Sequence, residues 1–193
     1  MLKKIICAIL LTASIFIPDL SHAEGVSYPE ISAEAGILMD AKTGQILYEK
    51  NMDEPLFPAS ITKILTVLVG LESGKTEDII TMSNNAVFSI PRDSAHIALD
   101  EGEEINFKDA LYGAMLSSAN EACNGIAEHV SGSTQEFASL MNKRAEEAGA
   151  KNSNFVNPNG LHDQNHVTTA YDMAVITKDA LNNNEFREIF GSS

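Results

Sequence analysis

The sequence contains few basic residues and few cysteines, and each shortage narrows the possible functions. Its 13 Lys and Arg residues stand against 27 Asp and Glu residues, which gives a formal net charge of −14. Binding to nucleic acid requires clustered Lys and Arg that neutralise phosphates, so this composition argues against a nucleic-acid partner. The only cysteines are Cys7 and Cys123.

The N-terminal residues predict export from the cytoplasm. Lys3 and Lys4 precede an apolar run over residues 5–17, and Ser-His-Ala follows as a small-residue cleavage site. We therefore expect residues 1–23 to be a signal peptide and Glu24 to begin the mature chain. The run is short for a membrane span, so a retained anchor is the less favoured alternative.

Removal of the signal peptide would leave Cys123 as the only cysteine, which excludes an intramolecular disulfide. Residues 24–193 must then be held together by their core. The sequence is 44% hydrophobic and long enough to bury a substantial core as one domain. No second long apolar run predicts a membrane span, so no further membrane anchor is visible in the sequence.

The predicted elements are a hairpin, a buried helix and a helical block. Together they form an α/β arrangement that contains an antiparallel sheet. Residues 35–50 predict a β-hairpin in which Gly44 supplies a positive φ at the turn. The helix after Pro58 is apolar on nearly every face, which is typical of a buried helix. Residues 76–104, with the alternating piece AHIALD, predict minor strands and loops. Later helix starts are indicated by three capping signals, at Asn106, at Ser133 with Glu136, and at Thr169.

The segment Pro-Ala-Ser-Ile-Thr-Lys, at the start of the buried helix, carries a candidate nucleophile and base. Ser60 and Lys63 are three positions apart and therefore share one helix face. Lysine is almost never fully buried, and burial disfavours its charged form, which allows it to accept a serine proton. The alternative is that Ser60 only caps the helix, which serine does well. These residues alone leave both interpretations open.

A second polar pair, Ser118 and Asn120, lies at a break between two predicted helices, where side chains can project into a cleft. The alternative is again a helix cap. Together with Ser60 and Lys63, however, this Ser-x-Asn resembles the active-site set of the serine D-Ala-D-Ala carboxypeptidases, the low-molecular-weight penicillin-binding proteins of the peptidase S11 type. Further segments resemble that family in the same order from about residue 35 onward, namely DAKTGQILYEKN, LYGAMLSSANEACNGIAEH and FVNPNGLHDQNHVTTAYDMA.

The resemblance implies a fold of the DD-peptidase and β-lactamase type and a role for each of these residues. Ser60 would attack the carbonyl between two D-alanines of a peptidoglycan stem peptide and form an acyl-enzyme. Lys63 would accept the serine proton, Ser118 would relay a proton, and Asn120 would orient the substrate amide. β-Lactams, which mimic the dipeptide, would inhibit by acylating Ser60. The resemblance implies neither a metal nor another cofactor.

Two further motifs are better explained by local structure. Residues 42–44 spell the Lys-Thr-Gly motif of the family, but they precede Ser60 and suit a hairpin turn. His162 and His166 have the spacing of a zinc-binding pair, yet the Pro-Asn-Gly just before them favours a loop, whereas such zinc pairs lie on a helix. We therefore expect both histidines to be loop residues with ordinary partners.

The family's functional Lys-Thr-Gly follows the Ser-x-Asn motif, and no such triplet occurs between Asn120 and Ser193. The resemblance therefore predicts a catalytic domain that is truncated at its C-terminus and poorly active by itself.

Two rival functions remain open. A class A β-lactamase would need a Glu-x-x-Leu-Asn loop, but the Leu-Asn at 181–182 has Lys178 in the glutamate position. The second rival is a non-catalytic wall-binding or penicillin-binding protein, which the missing triplet favours.

We expect the mature protein to begin at Glu24 outside the cytoplasmic membrane, because residues 1–23 contain the charged, apolar and cleavage regions of an export signal. N-terminal sequencing of the protein from fractionated cells measures this directly. Recovery of a chain that starts at Met1 and lies wholly in the cytoplasm would contradict the prediction.

Overall fold

The chain forms two small antiparallel sheets and seven α-helices over the residues that the computed structural model describes, 28–73 and 75–192. The predicted signal peptide, residues 1–23, lies outside this part of the chain. The strands are β1 (Gly36–Met39), β2 (Ile46–Lys50), β3 (Ile79–Thr81) and β4 (Glu104–Asn106). A 3₁₀ turn, Ala59–Ile61, precedes the helices α1 (Thr62–Glu72), α2 (Asn84–Phe88), α3 (Phe107–Leu116), α4 (Asn120–Ser131), α5 (Thr134–Ala148), α6 (Ala170–Ala180) and α7 (Asn184–Phe190). Within the described ranges, no helix combines the length and apolar content needed to cross a membrane.

The predicted hairpin is confirmed, and its turn explains the early Lys-Thr-Gly triplet. Strands β1 and β2 pair antiparallel. Between them, the Asp40 carboxylate accepts hydrogen bonds from the backbone amides of Lys42 and Thr43 at 3.1 and 2.6 Å, and from the Thr43 hydroxyl at 2.7 Å. Gly44 has a φ of +78°, which glycine adopts without the steric cost of a side chain. The triplet therefore serves the turn.

Helix α1 lies at the centre of the helical block, as its all-round apolar sequence predicts. It contacts α3, α4, α5, α6 and α7. Leu65, Val67 and Leu68 are at most 1% exposed, because neighbouring helices cover every face of α1. Gly70 permits close packing, since a Cβ at that position would lie 2.8 Å from Leu111 Cδ2 on α3. The core therefore holds the N-terminal end of α1 in place.

Capping residues correctly locate the starts of α5 and α6. The Ser133 hydroxyl accepts a hydrogen bond from the Glu136 amide at 3.1 Å, and α5 ends at Gly149 with a φ of +97°. The Thr169 hydroxyl likewise accepts an amide hydrogen bond in the first turn of α6. Asn106 is the N-cap residue of α3, as expected, but its side chain makes no capping hydrogen bond. Its side-chain amide donates instead to a carboxylate in the first turn of that helix.

The middle of the chain differs from the sequence-based expectation in part. Strands β3 and β4 form the expected minor antiparallel sheet. The alternating piece at 95–100 is not a strand, and no pattern in the sequence predicts the short helices α2 and α7. Alternation produces a strand only where another strand is available to pair with it. Here β3 and β4 pair with each other, and residues 95–100 find hydrogen-bond partners on α4 instead.

We expect Ser133→Ala to lower the free energy of unfolding by about 1 kcal/mol, because the Glu136 amide loses its acceptor. Ser139→Ala is the matched control, since Ser139 is exposed on the same helix and its hydroxyl bonds the Gln135 carbonyl of that helix. Urea denaturation of the two variants measures the difference. An equal loss in both would contradict the capping role.

Candidate active site

Ser60 lies in the 3₁₀ turn that leads into α1, and its side chain is exposed. Its hydroxyl oxygen accepts hydrogen bonds from Lys63 Nζ at 3.3 Å and from Ser118 Oγ at 2.9 Å. The N-cap of α1 is Ile61, and no side chain caps the helix there. The alternative role of Ser60 as a helix cap is therefore wrong. Its hydroxyl instead contacts two groups that can exchange protons with it.

Lys63, in the first turn of α1, is 2% exposed. Its Nζ atom donates to Asn120 Oδ1 and to the Asn159 carbonyl, both at 2.7 Å, as well as to Ser60. Burial lowers the pKa of Lys63, and the nearby Glu121 carboxylate opposes this shift without cancelling it. A lysine in this environment releases its proton more readily than an exposed lysine, so it can act as a base.

Ser118 and Asn120 come from the break between α3 and α4, as the sequence predicts. Ser118 has a φ of +56°, a conformation that residues with side chains rarely adopt, and its hydroxyl donates to Ser60. Asn120 is the first residue of α4 and is 5% exposed. The N-cap of α4 is Ala119, so the capping alternative for this pair is also wrong. The fold thus brings all four predicted site residues together.

The segment 157–161, Asn-Pro-Asn-Gly-Leu, completes the site and is absent from the predicted set. The Asn159 carbonyl is one of the acceptors for Lys63. Gly160 has a φ of +83°, and a Cβ there would lie 1.9 Å from the Ala59 carbonyl oxygen, so only glycine meets both conditions. The sequence marks a turn here through Pro-Asn-Gly. It carries no sign that a backbone carbonyl in this turn contacts a lysine 96 positions away.

The two histidines with zinc-like spacing have separate partners in a loop. The His162 ring packs edge to face on Phe57. His166 is 2% exposed, and its Nδ1 accepts from the Val156 amide at 3.2 Å, so the Nε2 atom carries the proton and donates to Thr62 Oγ1 at 2.9 Å. This neutral imidazole fastens the loop to α1. Among the described residues, no group of three or more His, Cys, Asp or Glu side chains is placed to hold a metal ion.

Chemically, these contacts form a serine acyl-transfer arrangement in which the available base is a lysine. A serine nucleophile needs a base within hydrogen-bond reach, and Lys63 Nζ lies 3.3 Å from Ser60 Oγ. The hydroxyl also lies beside the N-terminus of α1, where backbone N–H groups and the helix dipole favour developing negative charge. The class of site that this geometry defines is therefore a serine nucleophile beside a buried lysine.

Comparisons with known proteins refine this class to a family. The profile of Peptidase S11, D-alanyl-D-alanine carboxypeptidase, matches residues 22–191. The D-alanyl-D-alanine carboxypeptidase DacF of Bacillus subtilis is 41% identical over 154 residues, which are 77% of this chain and 39% of that protein. The D-alanyl-D-alanine carboxypeptidase DacA of Haemophilus influenzae is 38% identical over 157 residues, which are 79% of this chain and 40% of that protein.

Solved structures give the same assignment. Penicillin binding protein 5 from Haemophilus influenzae matches with a TM-score of 0.81 at 35% identity, over 87% of this chain and 51% of that one. The S216A mutant of the Streptomyces K15 DD-transpeptidase matches with a TM-score of 0.79 at 26% identity, over 84% of this chain and 66% of that one. The chain belongs to the Peptidase S11 family and has the DD-peptidase fold that the sequence predicts. It spans 39% and 40% of the lengths of DacF and DacA.

We expect the folded state to lose stability as the pH falls below 6.5, with His166 responsible for part of the loss. Burial lowers the pKa of His166 from its ordinary value of 6.5. The unfolded chain therefore binds a proton at a higher pH than the folded chain, so acidification favours unfolding until the lowered pKa is passed. Above pH 6.5 the histidine is neutral in both states and contributes no pH dependence.

Urea denaturation at a series of pH values measures this contribution. His166→Gln cannot titrate, so its unfolding free energy should fall less steeply below pH 6.5 than that of the wild type. His162→Gln is the matched control in the same loop, at an exposed position. Parallel pH curves for His166→Gln and the wild type would contradict the prediction.

Proposed function

We propose that this protein is a serine-type D-Ala-D-Ala carboxypeptidase that removes the terminal D-alanine from peptidoglycan stem peptides outside the cytoplasmic membrane. The observation that supports this most directly is the Ser60 hydroxyl, which lies 3.3 Å from Lys63 Nζ and 2.9 Å from Ser118 Oγ. Membership of the Peptidase S11 family, with relatives named as D-alanyl-D-alanine carboxypeptidases, supplies the substrate class.

Acylation begins when Ser60 Oγ attacks the carbonyl carbon between the two D-alanines. Neutral Lys63 accepts the hydroxyl proton as the new C–O bond forms. Burial favours this neutral form, because it disfavours the ammonium and lowers the pKa of Lys63. The backbone N–H groups at the start of α1 stabilise the negative charge that develops on the substrate oxygen.

Collapse of the tetrahedral intermediate breaks the C–N bond, and the departing D-alanine amine needs a proton. Ser118 Oγ, which is 2.9 Å from Ser60 Oγ, relays this proton from Lys63. Asn120 Oδ1 is held by Lys63 at 2.7 Å, which orients the Asn120 Nδ2 atom to donate to the substrate amide. Water then hydrolyses the ester and frees Ser60.

A labelled penicillin, used as an analogue of the D-Ala-D-Ala terminus, should attach covalently to Ser60. We expect Ser60→Ala to abolish labelling and Lys63→Ala to slow it by roughly 10²- to 10⁴-fold, because the attacking hydroxyl loses its base. Ser139→Ala should label like the wild type. The labelling uses the longest protein that the gene encodes, and mass spectrometry of the labelled protein identifies the modified residue. Labelling that survives Ser60→Ala would place the nucleophile elsewhere.

Two measurements on the same protein separate the carboxypeptidase from its rivals. Release of D-alanine from a diacyl-Lys-D-Ala-D-Ala substrate supports the proposal. Rapid release of the penicilloyl label would indicate a β-lactamase, although Lys178 stands where the class A loop needs glutamate. Stable labelling without D-alanine release would indicate a non-catalytic penicillin-binding protein.

A further inference from the structure

A strap, residues 95–99, crosses the start of α4 and is fastened there by Glu121. The Oε1 atom of Glu121 accepts hydrogen bonds from the Ile97 amide at 2.6 Å and, more weakly, from the Leu99 amide at 3.5 Å. Glu121 is 1% exposed. Removal of this side chain would therefore take away both of the strap's hydrogen bonds to Glu121.

The strap contacts both ends of the turn that carries Ser118. At one end, the Ala95 carbonyl accepts from the Asn120 amide at 3.0 Å. At the other end, Ile97 packs so closely on α3 that a Cβ at Gly113 would lie 3.0 Å from Ile97 Cδ1. The Gly113 carbonyl in turn accepts the amide of the residue after Ser118 at 3.1 Å. Movement of the strap would therefore loosen the turn at both ends.

Both the turn and the strap contain strained backbone. Ser118 has a φ of +56° and Ala98 a φ of +63°, conformations that residues with side chains keep only where surrounding contacts enforce them. Glu121 supplies such contacts from α4. Its second carboxylate oxygen, Oε2, is buried without a hydrogen-bond partner. Because an unpaired buried oxygen of this kind is unfavourable, stability alone does not account for a carboxylate at this position.

We propose that Glu121 is a positioning residue for acylation: its carboxylate fastens the strap and thereby keeps Ser118 Oγ at hydrogen-bonding distance from Ser60 Oγ. This inference rests on the proposed function and assigns Glu121 a part in it. Glu121 acts through the strap and the turn, without contact with the substrate. Its charge also raises the pKa of Lys63, and this separate influence is lost in a glutamine variant and kept in an aspartate variant. A displacement of about 1 Å in a catalytic group can slow a reaction by about 10²-fold, so a small movement of Ser118 has a measurable effect.

A double-mutant cycle between Glu121 and Ser118 tests the proposal. The quantity measured is the rate constant for acylation by labelled penicillin at saturation, separately from the penicillin dissociation constant. We expect Glu121→Ala to slow acylation by about tenfold or more and to leave the dissociation constant unchanged. In a Ser118→Ala background, Glu121→Ala should have no further effect. Losses that multiply in the double variant would overturn the proposal, because Glu121 would then act independently of Ser118.

Conservative variants separate positioning from a general folding defect. Glu121→Gln keeps an oxygen that accepts from the Ile97 amide, so it should restore most of the acylation rate. Glu121→Asp keeps the charge but shortens the side chain, so it should slow acylation, and this loss should also disappear in the Ser118→Ala background. The aspartate variant provides the cycle if Glu121→Ala does not fold. A glutamine variant as slow as the alanine variant would overturn the proposal.

Glu147→Gln is the matched charge control, since Glu147 is exposed on α5 and pairs only loosely with Lys143 at 3.9 Å. It should acylate at the wild-type rate, and a loss equal to that of Glu121→Ala would overturn the proposal. Failure of the wild-type protein to be acylated would contradict the proposed function instead. Normal acylation of both the wild type and Glu121→Ala would overturn only the role of Glu121.

Discussion

The burial of Lys63 is the constraint on which the rest of the structure depends. Lys63 is 2% exposed, so its Nζ atom needs hydrogen-bond acceptors, because a polar group buried without partners is strongly unfavourable. The acceptors are Ser60 in the turn before α1, Asn120 at the start of α4, and the Asn159 carbonyl. Three distant parts of the chain must therefore meet at one atom. The same burial lowers the pKa of Lys63 and so favours the neutral amine, the form that can accept a proton.

Backbone strain is concentrated around these acceptors. Ala59, Ala98 and Ser118 all have positive φ although none is glycine. Such conformations cost about 1–3 kcal/mol each and persist only where the surrounding structure enforces them. Here that structure is the core around α1, which holds one side of the site, and the hydrogen bonds of α4 with residues 95–99, which hold the other. The packing of the helical block thus stabilises the strained turns, and these turns place side chains next to Ser60.

Features that depend on a few neighbouring residues could be predicted from the sequence. Ser60 and Lys63 are three positions apart and therefore lie within hydrogen-bonding distance across the turn into α1, and Ser133 accepts a hydrogen bond from an amide three positions along. The hairpin turn follows equally from Asp40 and Gly44. Asn106 marks the start of α3 as predicted, but its side chain bonds a carboxylate in the first turn and makes no capping bond. The strand prediction failed at 95–100, where no strand was available for pairing.

The sequence by itself determined the residue types that carry the chemistry and their local spacing. It also determined that α1 has apolar residues on nearly every face. The tertiary structure alone decided which distant groups surround them. Lys63 and Asn159 are 96 positions apart, and Thr62 and His166 are 104 apart. The Asn159 contact uses a backbone carbonyl, which every residue possesses, so no residue type signals it. Its position depends on the packing of the whole core, since local preferences act over only a few residues and cannot specify contacts between segments that meet only on folding.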